Sequence, residues 1–390
     1  MRKLALTASI VLPLILSGGT ARAADPEGEG KDELEALDEL EGDPHDEPAP
    51  KSKSKSKSKS KSKSKSKSKS KSKSKSKSSR NDEACNFRSP LYWHTVDAGE
   101  HLGLIAGQYG VLSADIIGLN PALADNPNHI RVGQKLAVCP ELPPREVEEI
   151  SYEVRAGETF NEIAYAHNLS PAELLGQQGA SLTDPDKLRV GATLKIVRVG
   201  EIVPGFEPEP PQRGKLVHAR KLPESASYFI KRPHNAYGTP RAIKLIKQVV
   251  GRYEKRSKGG PKLRMGDISR QGGGPMQGHR SHQEGNDIDI GLVLEGKLAD
   301  RMHFSGATAK NIDLRRTWIL IEEFLATGEV RYIFLDYAIQ KQLYNYAKSQ
   351  GISEQKLDEY FQYPRGLGRN HGIIRHWRGH KNHLHVRFRS

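Results

Sequence analysis

The sequence predicts an α+β protein in which two small βααβ units and a disordered N-terminal segment precede a compact C-terminal domain with an antiparallel sheet. Three observations support this class. Predicted helices and strands do not alternate regularly over residues 215–390, which is typical of α+β domains. Two segments near the C-terminus alternate polar with apolar residues, as half-buried strands do. Residues 85–200 repeat their own pattern at an offset of 58 residues, which indicates a duplication.

Residues 1–23 have the features of a cleaved secretory signal. Arg2 and Lys3 precede an apolar run over residues 4–16, and residues 21–23 offer small side chains for cleavage. The apolar run is too short to span a bilayer. No cysteine that could carry a lipid anchor lies near the predicted cleavage site. The mature protein is therefore expected in the periplasm or outside the cell.

Residues 24–84 are predicted to be disordered, because an acidic segment and a strict Lys-Ser alternation over residues 51–78 can bury no core. The chain has 61 Lys and Arg against 47 Asp and Glu, and the alternation alone contains fourteen lysines. Removing them leaves 47 against 47, so the net charge of +14 is that of the tract. The charge therefore gives no reason to expect a nucleic-acid partner. Two roles of the tract are left open: it could make loose contact with anionic envelope polymers, or it could be a simple solubilising spacer.

The duplication has conserved landmarks in both copies. Residues 96–100 and 154–158 share Val-x-Ala-Gly-Glu, and residues 131–136 and 189–194 share Arg-Val-Gly-x-x-Leu. Each copy is predicted to form a strand, two helices and a strand. The predicted helices cover residues 102–109 and 114–119 in the first copy, and 160–167 and 171–177 in the second.

The two copies resemble LysM modules, with bounds at residues 85–140 and 150–200. The second copy departs from the LysM pattern, because Gln178-Gly179 replaces Asn120-Pro121. The resemblance implies glycan binding by residues in the loops around the helices, although the same residues could simply shape turns. The candidates are Gly99, Glu100, His101, Leu102, Asn120 and Pro121 in the first module, and Gly157, Glu158, Thr159 and Phe160 in the second.

Cys85 and Cys139 flank the first module. In an oxidising, exported setting they are predicted to form a disulfide.

Residues 201–214 contain four prolines and are predicted to be a stiff linker. The remaining residues, 215–390, suffice for one compact domain. Its predicted helices cover residues 241–255, 314–325 and 338–350, and its predicted strands cover residues 263–268, 287–294, 330–335 and 383–388.

Two of these strands carry clustered histidines and aspartates. Asp287 and Asp289 alternate with apolar residues in one strand, and His383 and His385 do so in the other. Their polar faces would converge if the strands were neighbours. Two imidazoles and one carboxylate leave an open coordination position, which is typical of a catalytic zinc site. Spacing alone does not decide which aspartate coordinates, and Asp287 could instead orient a ligand histidine.

The C-terminal domain resembles the LAS metallopeptidases, in which a His is followed by six residues, an Asp and a later His-x-His. The fuller patterns Gly-His-x-x-His-Gln-x-Gly-x-Asp-x-Asp and Trp-x-Gly-His-x-x-His-x-His-Val-Arg resemble the penicillin-insensitive murein endopeptidases. The resemblance implies that His282, Asp289 and His385 bind zinc and that His383 is the general base. It also implies that His279 and His380 lie in the active site, where they would either stabilise the tetrahedral oxyanion or orient the substrate.

This resemblance implies a β-lactam-insensitive peptidoglycan hydrolase that cleaves D-Ala–meso-diaminopimelate cross-links while LysM modules hold the glycan. The alternatives are a D,D- or L,D-carboxypeptidase and a non-catalytic wall-binding protein. Modules and enzyme are expected to act independently, so deletion of residues 85–139 should spare cleavage of small soluble substrates. The glycines at 272–274 are not expected to bind phosphate, because no Lys-Ser/Thr follows them.

Overall fold

The computed structural model describes residues 84–86, 88–167, 169, 171–206 and 214–390. The predicted signal peptide and nearly all of the predicted N-terminal tether lie outside these residues. Half of the predicted proline-rich linker, residues 207–213, also lies outside them.

The helices and strands of the first module are β1 (Tyr92–Thr95), α1 (Leu102–Gln108), α2 (Ser113–Leu119) and β2 (Lys135–Val138), with a short 3-10 helix over Pro121–Leu123. The two strands pair antiparallel, with Tyr92 opposite Val138. The disulfide between Cys85 and Cys139 is formed and joins the start of the module to the end of β2. Both the βααβ prediction and the disulfide prediction are confirmed.

The second module repeats this arrangement with β3 (Arg145–Glu153), α3 (Phe160–Ala166), α4 (Pro171–Gln178) and β4 (Thr193–Ile202). Its strands also pair antiparallel and form a longer ribbon than β1 and β2. The buried core residues of the two modules correspond at the 58-residue offset. The pairs are Val96 and Val154, Ile105 and Ile163, Ile116 and Leu174, and Leu136 and Leu194.

Gln178 takes over the structural role of Asn120. The Asn120 amide donates to the carbonyls of Ile116 and Ala137 at 2.7 and 2.8 Å, and its oxygen accepts from the Ala137 amide. The Gln178 amide donates to the carbonyls of Leu174 and Lys195 at 2.8 and 2.7 Å, and its oxygen accepts from the Lys195 amide. The departure at this position therefore preserves the clamp between the second helix and the closing strand.

The C-terminal domain is built from helices packed on a six-stranded sheet. Its helices are α5 (Pro240–Ser257), α6 (Leu314–Leu325), α7 (Tyr337–Ser349) and α8 (Glu354–Tyr360). The sheet strands are β6 (Tyr228–Ile230), β8 (Leu263–Met265), β9 (Asp287–Gly291), β10 (Val330–Phe334), β11 (Ile374–Arg375) and β12 (His383–Phe388), and β5 (Arg220–Lys221) pairs separately with β7 (Tyr237–Gly238).

The sheet order is β11-β10-β12-β9-β8-β6. Its four central strands are antiparallel, which confirms the predicted class, whereas the outer pairs β10-β11 and β6-β8 are parallel. The antiparallel prediction therefore holds for the strands that carry the site. The strand pairs at the two edges of the sheet are parallel instead. Helix α8 and the short strands β5, β6, β7 and β11 were not predicted.

One face of the sheet is covered by the core. Ile288 and Ile290 of β9 and Leu384 and Val386 of β12 are fully buried and belong to the same apolar cluster as α5 and α6. Because neighbouring residues of a strand point to opposite faces, the aspartates of β9 and the histidines of β12 lie on the other face. Thr239 begins α5, where its hydroxyl accepts from the Ala242 amide at 3.1 Å.

The first module is packed against the C-terminal domain, chiefly through α1 and α8. Gly103 in α1 lies so close to α8 that a Cβ atom built on it would be 2.0 Å from the Gln355 carbonyl oxygen. The first module and the C-terminal domain are therefore packed together, which differs from the expectation that they are independent.

Among the described residues, no single helix is long and apolar enough to cross a membrane. Helices α1 and α2 meet the length and composition requirements together, but as a pair bent by 100°.

Candidate metal centre

The pairing of β9 with β12 forms the floor of the candidate site. Asp289 stands opposite His385, and Asp287 stands opposite Arg387, in the antiparallel register. Asp287, Asp289 and His385 are all at most 5% exposed. The predicted convergence of the two polar strand faces is therefore present.

His282 reaches this floor from the loop before β9. Its φ is +65°, a left-handed backbone conformation that costs a non-glycine residue on the order of 1 kcal/mol or more. The Asp287 carboxylate accepts from the His282 amide at 3.4 Å, which helps to hold this turn. The side chain is fully buried, so the strained backbone serves to direct the imidazole inward.

Three ligand-type atoms form a nearly equilateral triangle. His282 Nε2 lies 3.1 Å from His385 Nδ1, and both nitrogens lie 3.2 Å from Asp289 Oδ1. Atoms that share one zinc ion, each at about 2.0–2.2 Å, are separated by about this distance. The triangle therefore has the dimensions of a three-residue metal site.

The second ring nitrogen of each histidine fixes its tautomer. His282 Nδ1 lies 3.0 Å from the Ile268 carbonyl, which can only accept, so this nitrogen carries the hydrogen. His385 Nε2 lies 3.0 Å from Asp287 Oδ1 and donates to it. The lone pairs of both imidazoles thus face each other and the carboxylate, and Asp289 Oδ1 is buried without a hydrogen-bond partner. Three facing electron pairs fit a cation.

The electrostatics of the triangle also favour positive charge. Burial raises the pKa of Asp289, but the positive charge that His282 and His385 carry when protonated outweighs it and holds that pKa well below its usual range. Burial lowers the pKa of His385, but Asp287 and Asp289 outweigh it and raise that pKa to about 9. The pocket therefore attracts a proton or a metal ion at this position.

Asp287 is held as an ionised orienting group. Burial raises its pKa, but the charge of Arg387 and the hydrogen bond from His385 outweigh this and lower the pKa far below its usual range. Arg387 Nε donates to the same oxygen, Oδ1, at 2.6 Å. Of the two roles left open by spacing, the geometry favours that of a ligand-orienting carboxylate for Asp287.

The remaining predicted histidines surround the triangle. His383 Nε2 lies 3.7 Å from Asp289 Oδ1, and His279 Nδ1 lies 3.9 Å from Asp289 Oδ2. The His380 ring centre is 4.6 Å from that of His383 and 5.7 Å from that of His385. His279, His282 and Asp289 also offer ligand atoms within 4.8 Å of one another, so His279 can approach an ion held by the other two.

Asp267 and Phe304 are site residues that were missed in the sequence. Asp267 Oδ2 accepts from His279 Nε2 at 2.9 Å, while Arg232 and Asn235 hold the carboxylate. Phe304 stacks on His383, with ring centres 5.2 Å apart. Asp267 lies in the predicted strand over residues 263–268, which contains no histidine, and Phe304 lies in a segment without a recognisable periodic pattern. The sequence signal that goes with Phe304 is the pair of glycines Gly266 and Gly291, which leave room for its ring. A Cβ atom on either glycine would come within 3.0 Å of that ring.

Several predicted glycan-binding residues have structural roles in the modules. Glu100 accepts from the Asp97 amide and contacts His94, and Glu158 accepts from the Arg155 amide and the Tyr152 hydroxyl. His101 and Thr159 begin α1 and α3 as helix caps. The remaining candidates fall into a buried pair, Leu102 and Phe160, a clamp residue, Asn120, and an exposed set, Gly99, Pro121 and Gly157.

The fold and the site together define a metallopeptidase-type domain preceded by two βααβ modules. Residues 210–351 match the family model of the penicillin-insensitive murein endopeptidases. Residues 94–138 and 152–197 each match the LysM domain. The chain therefore carries a domain of this metallopeptidase family and two LysM domains. The matched segment of the first family contains His279, His282 and Asp289 and ends before the histidines of β12.

Two curated relatives are penicillin-insensitive murein endopeptidases. The one from Yersinia enterocolitica serotype O:8 / biotype 1B is 28% identical over 193 residues, which cover 45% of this chain and 63% of the relative. The one from Haemophilus influenzae is 30% identical over 190 residues, which cover 45% and 60%. The chain thus spans less than two thirds of the length of these relatives.

Among solved structures, the spore cortex-lytic enzyme SleL of Bacillus megaterium QM B1551 is 23% identical and covers 41% of this chain and 30% of that one. Its TM-score of 0.12 is too low to bear on the fold.

Proposed function

We propose that this protein is an exported, zinc-dependent peptidoglycan hydrolase that cleaves D-Ala–meso-diaminopimelate peptide cross-links. The triangle of His282, Asp289 and His385 is the observation that carries the proposal, since its buried, facing electron pairs fit a cation. The match to the murein endopeptidase family supports the substrate, and the two LysM matches support glycan binding.

Zinc is the metal that the ligand set favours. Two imidazole nitrogens and one carboxylate oxygen suit zinc better than magnesium or calcium, which prefer oxygen ligands. His282, Asp289 and His385 would hold the ion, with Asp287 keeping His385 in the correct tautomer. Bound zinc would polarise the scissile carbonyl and lower the pKa of the attacking water.

His383 is the proposed general base. Its Nδ1 lies 2.5 Å from Asn382 Oδ1 and donates to it, so Nε2 is left as an acceptor on the side of Asp289. Burial lowers the pKa of His383 to about 4, although the charge of Asp289 opposes this shift. The ring is therefore unprotonated near neutral pH, as a base that accepts a proton from the attacking water must be.

His380 and His279 are proposed to orient the substrate. His380 Nδ1 lies 3.2 and 3.1 Å from the carbonyls of Trp377 and Arg378 and donates to them, which leaves Nε2 as an acceptor. Burial lowers the pKa of His380 to about 3, so this acceptor persists near neutral pH. An acceptor suits a substrate N–H group better than a developing oxyanion. His279 is held by Asp267 and presents Nδ1 to the site.

The predicted signal peptide agrees with an extracytoplasmic place of action, because peptidoglycan lies outside the cytoplasm. The ten LysM residues named from the sequence remain the proposed glycan contacts, and Gly99, Pro121, Gly157 and Thr159 are the exposed ones among them. The Lys-Ser tract is proposed as a tether whose positive charge favours loose contact with anionic envelope polymers.

Purified, zinc-loaded protein should be incubated with cross-linked muropeptide dimers and the products weighed by mass spectrometry. The proposal expects dimers to become monomers. Loss of a single terminal alanine would instead indicate a carboxypeptidase. Intact dimers after zinc loading would favour a non-catalytic wall-binding protein. His282→Ala is the matched inactive control, because it removes one corner of the triangle.

A further inference from the structure

Helix α1 of the first module lies in unusually close backbone contact with α8 of the C-terminal domain. Gly103 and Gly107 are one helical turn apart and face α8 together. A Cβ on Gly103 would be 2.0 Å from the Gln355 carbonyl oxygen, and one on Gly107 would be 2.2 Å from the Asp358 carbonyl oxygen. Both glycines are therefore required by the contact between the domains.

The second module shows that a LysM fold does not require these glycines. At the 58-residue offset, Gly103 corresponds to Asn161 and Gly107 corresponds to Tyr165. Both of these residues are exposed, with Tyr165 at 64%. The second module approaches the C-terminal domain elsewhere, where Glu173 lies 3.8 Å from Arg369. The glycine pair thus belongs to the docking of the first module and not to its fold.

The cap residues of the two modules differ in the same way. His101 Nδ1 accepts from the Leu104 amide as the cap of α1, so its Nε2 carries the hydrogen and donates to Asp358 Oδ2 at 3.0 Å. Thr159 caps α3 through its hydroxyl, which is too short to reach beyond the helix. His101 therefore combines the cap with a bond between domains.

Charge pairs complete the docked surface. Asp115 forms two hydrogen bonds to the Arg389 guanidinium, at 3.1 and 2.7 Å, and Arg389 is mostly buried. Glu141 lies 3.0 Å from Arg331. Leu112 packs against the apolar core of the C-terminal domain. Arg331 and Arg389 lie in or just after the strands β10 and β12, so the first module is fixed to the sheet that carries the site.

The docked helix also holds the segment that leads to the metal centre. The Gly107 carbonyl accepts from the Gly372 amide at 2.6 Å. The buried ring of His371 lies against Gly107 and donates to the Asp358 carbonyl at 2.7 Å. From this anchor the chain pairs with β10 at Ile374 and Arg375 and continues to His380, whose carbonyl accepts from the Asp336 amide.

We propose that the first LysM module is a positioning element of the metal centre, in which docked α1 fixes residues 371–380 and thereby His380. Cleavage of a small soluble substrate then depends on the module, even when no glycan is present. The activity part of this inference rests on the proposed function. It replaces the expectation that the module is an independent anchor.

The test uses the residues that the second module already tolerates. Gly103→Asn/Gly107→Tyr in the full-length protein should undock α1 without unfolding the module. The matched control is Asn161→Gly/Tyr165→Gly in the second module. On soluble muropeptide dimers the first variant should lose kcat by about 10- to 100-fold, because displacements of about 1 Å have such effects. Its KM and zinc content should stay near wild type, and the control should match wild type throughout.

Hydrogen exchange gives a readout that does not depend on activity. The amides of residues 371–376 should exchange faster in the glycine variant and not in the control. His101→Thr keeps the helix cap and removes only the bond to Asp358, so it should show a smaller loss of kcat in a fully folded protein. Wild-type kcat in both variants would overturn the proposal, as would unchanged exchange. If wild-type protein cleaves no dimers, the proposed function fails and exchange alone decides whether the module positions the segment.

Discussion

His282 Nε2 and His385 Nδ1 lie 3.1 Å apart although, when both rings are neutral, neither nitrogen has a hydrogen to donate to the other. Each ring has its N–H group engaged elsewhere, by the Ile268 carbonyl and by the Asp287 carboxylate. Two lone pairs at this distance repel each other unless a proton or a metal ion lies between them. This relationship is the physical reason to regard the cluster as a metal centre.

His383→Ala should leave zinc bound, because the three triangle residues remain. The rate should fall about 100- to 10,000-fold, the usual contribution of a general base. Zinc content and kcat of the purified variant check both parts. Near wild-type turnover would transfer the role of base to another group, and loss of zinc would make His383 a ligand.

Asp287→Asn should weaken zinc binding without abolishing it. The amide oxygen is an uncharged and weaker acceptor for the His385 N–H than the carboxylate, and loss of such an orienting partner typically costs 10- to 100-fold in metal affinity. Competition with a chelator measures the change. An affinity loss as large as that of Asp289→Ala would mean that Asp287 is itself a ligand.

Phe304→Leu should lower kcat and leave zinc content unchanged. Phe304 stacks on His383. The Lys231 ammonium also lies over the Phe304 ring, 4.6 Å from its centre. Loss of the stack frees the His383 ring while leaving the triangle intact. Phe304→Tyr, which keeps the aromatic face, serves as the control and should retain most activity.

His371 should make the docked interface sensitive to acid. Burial together with the charges of Arg365, Arg375 and His101 lowers the pKa of His371 to about 3, although the hydrogen bond to the Asp358 carbonyl opposes this shift. The unfolded chain takes up this proton near pH 6.5. The contribution of His371 to the free energy of unfolding is therefore fully present above pH 6.5 and is lost as the pH falls from there towards 3.

At pH 5 this loss should reach at most about 2 kcal/mol. Urea unfolding of wild type and His371→Gln at pH 7.5 and pH 5 measures it, because glutamine can donate to the Asp358 carbonyl and does not titrate. The wild type should lose more stability on acidification than the variant. Equal losses would show that His371 does not control the acid response.

The sequence contained enough information to predict the strand residues that form the floor of the site, but not the residues that surround them. Alternation in β9 and β12 placed Asp289 and His385 on one polar face, and the register of the pair confirmed it. His282 lies on a strained loop outside any periodic pattern, so its place came from the family resemblance alone. Asp267 and Phe304 approach from distant segments, and only tertiary packing brings them to the histidines.

The docking of the first module could not be predicted for a related reason. Gly103 and Gly107 weaken a helix in isolation, so they offer no local signal for an interface. Their meaning depends on α8, which was itself not predicted. The internal duplication did contain the clue, because Asn161 and Tyr165 stand at the matching positions.

The central claim is that His282, Asp289 and His385 hold one metal ion. Its most direct test is the zinc content of purified, zinc-dialysed wild type beside that of His385→Ala and His383→Ala. The account predicts one zinc per chain in the wild type and in His383→Ala, and a strong loss in His385→Ala. A wild type without zinc, or a His385→Ala variant with a full equivalent, would contradict it.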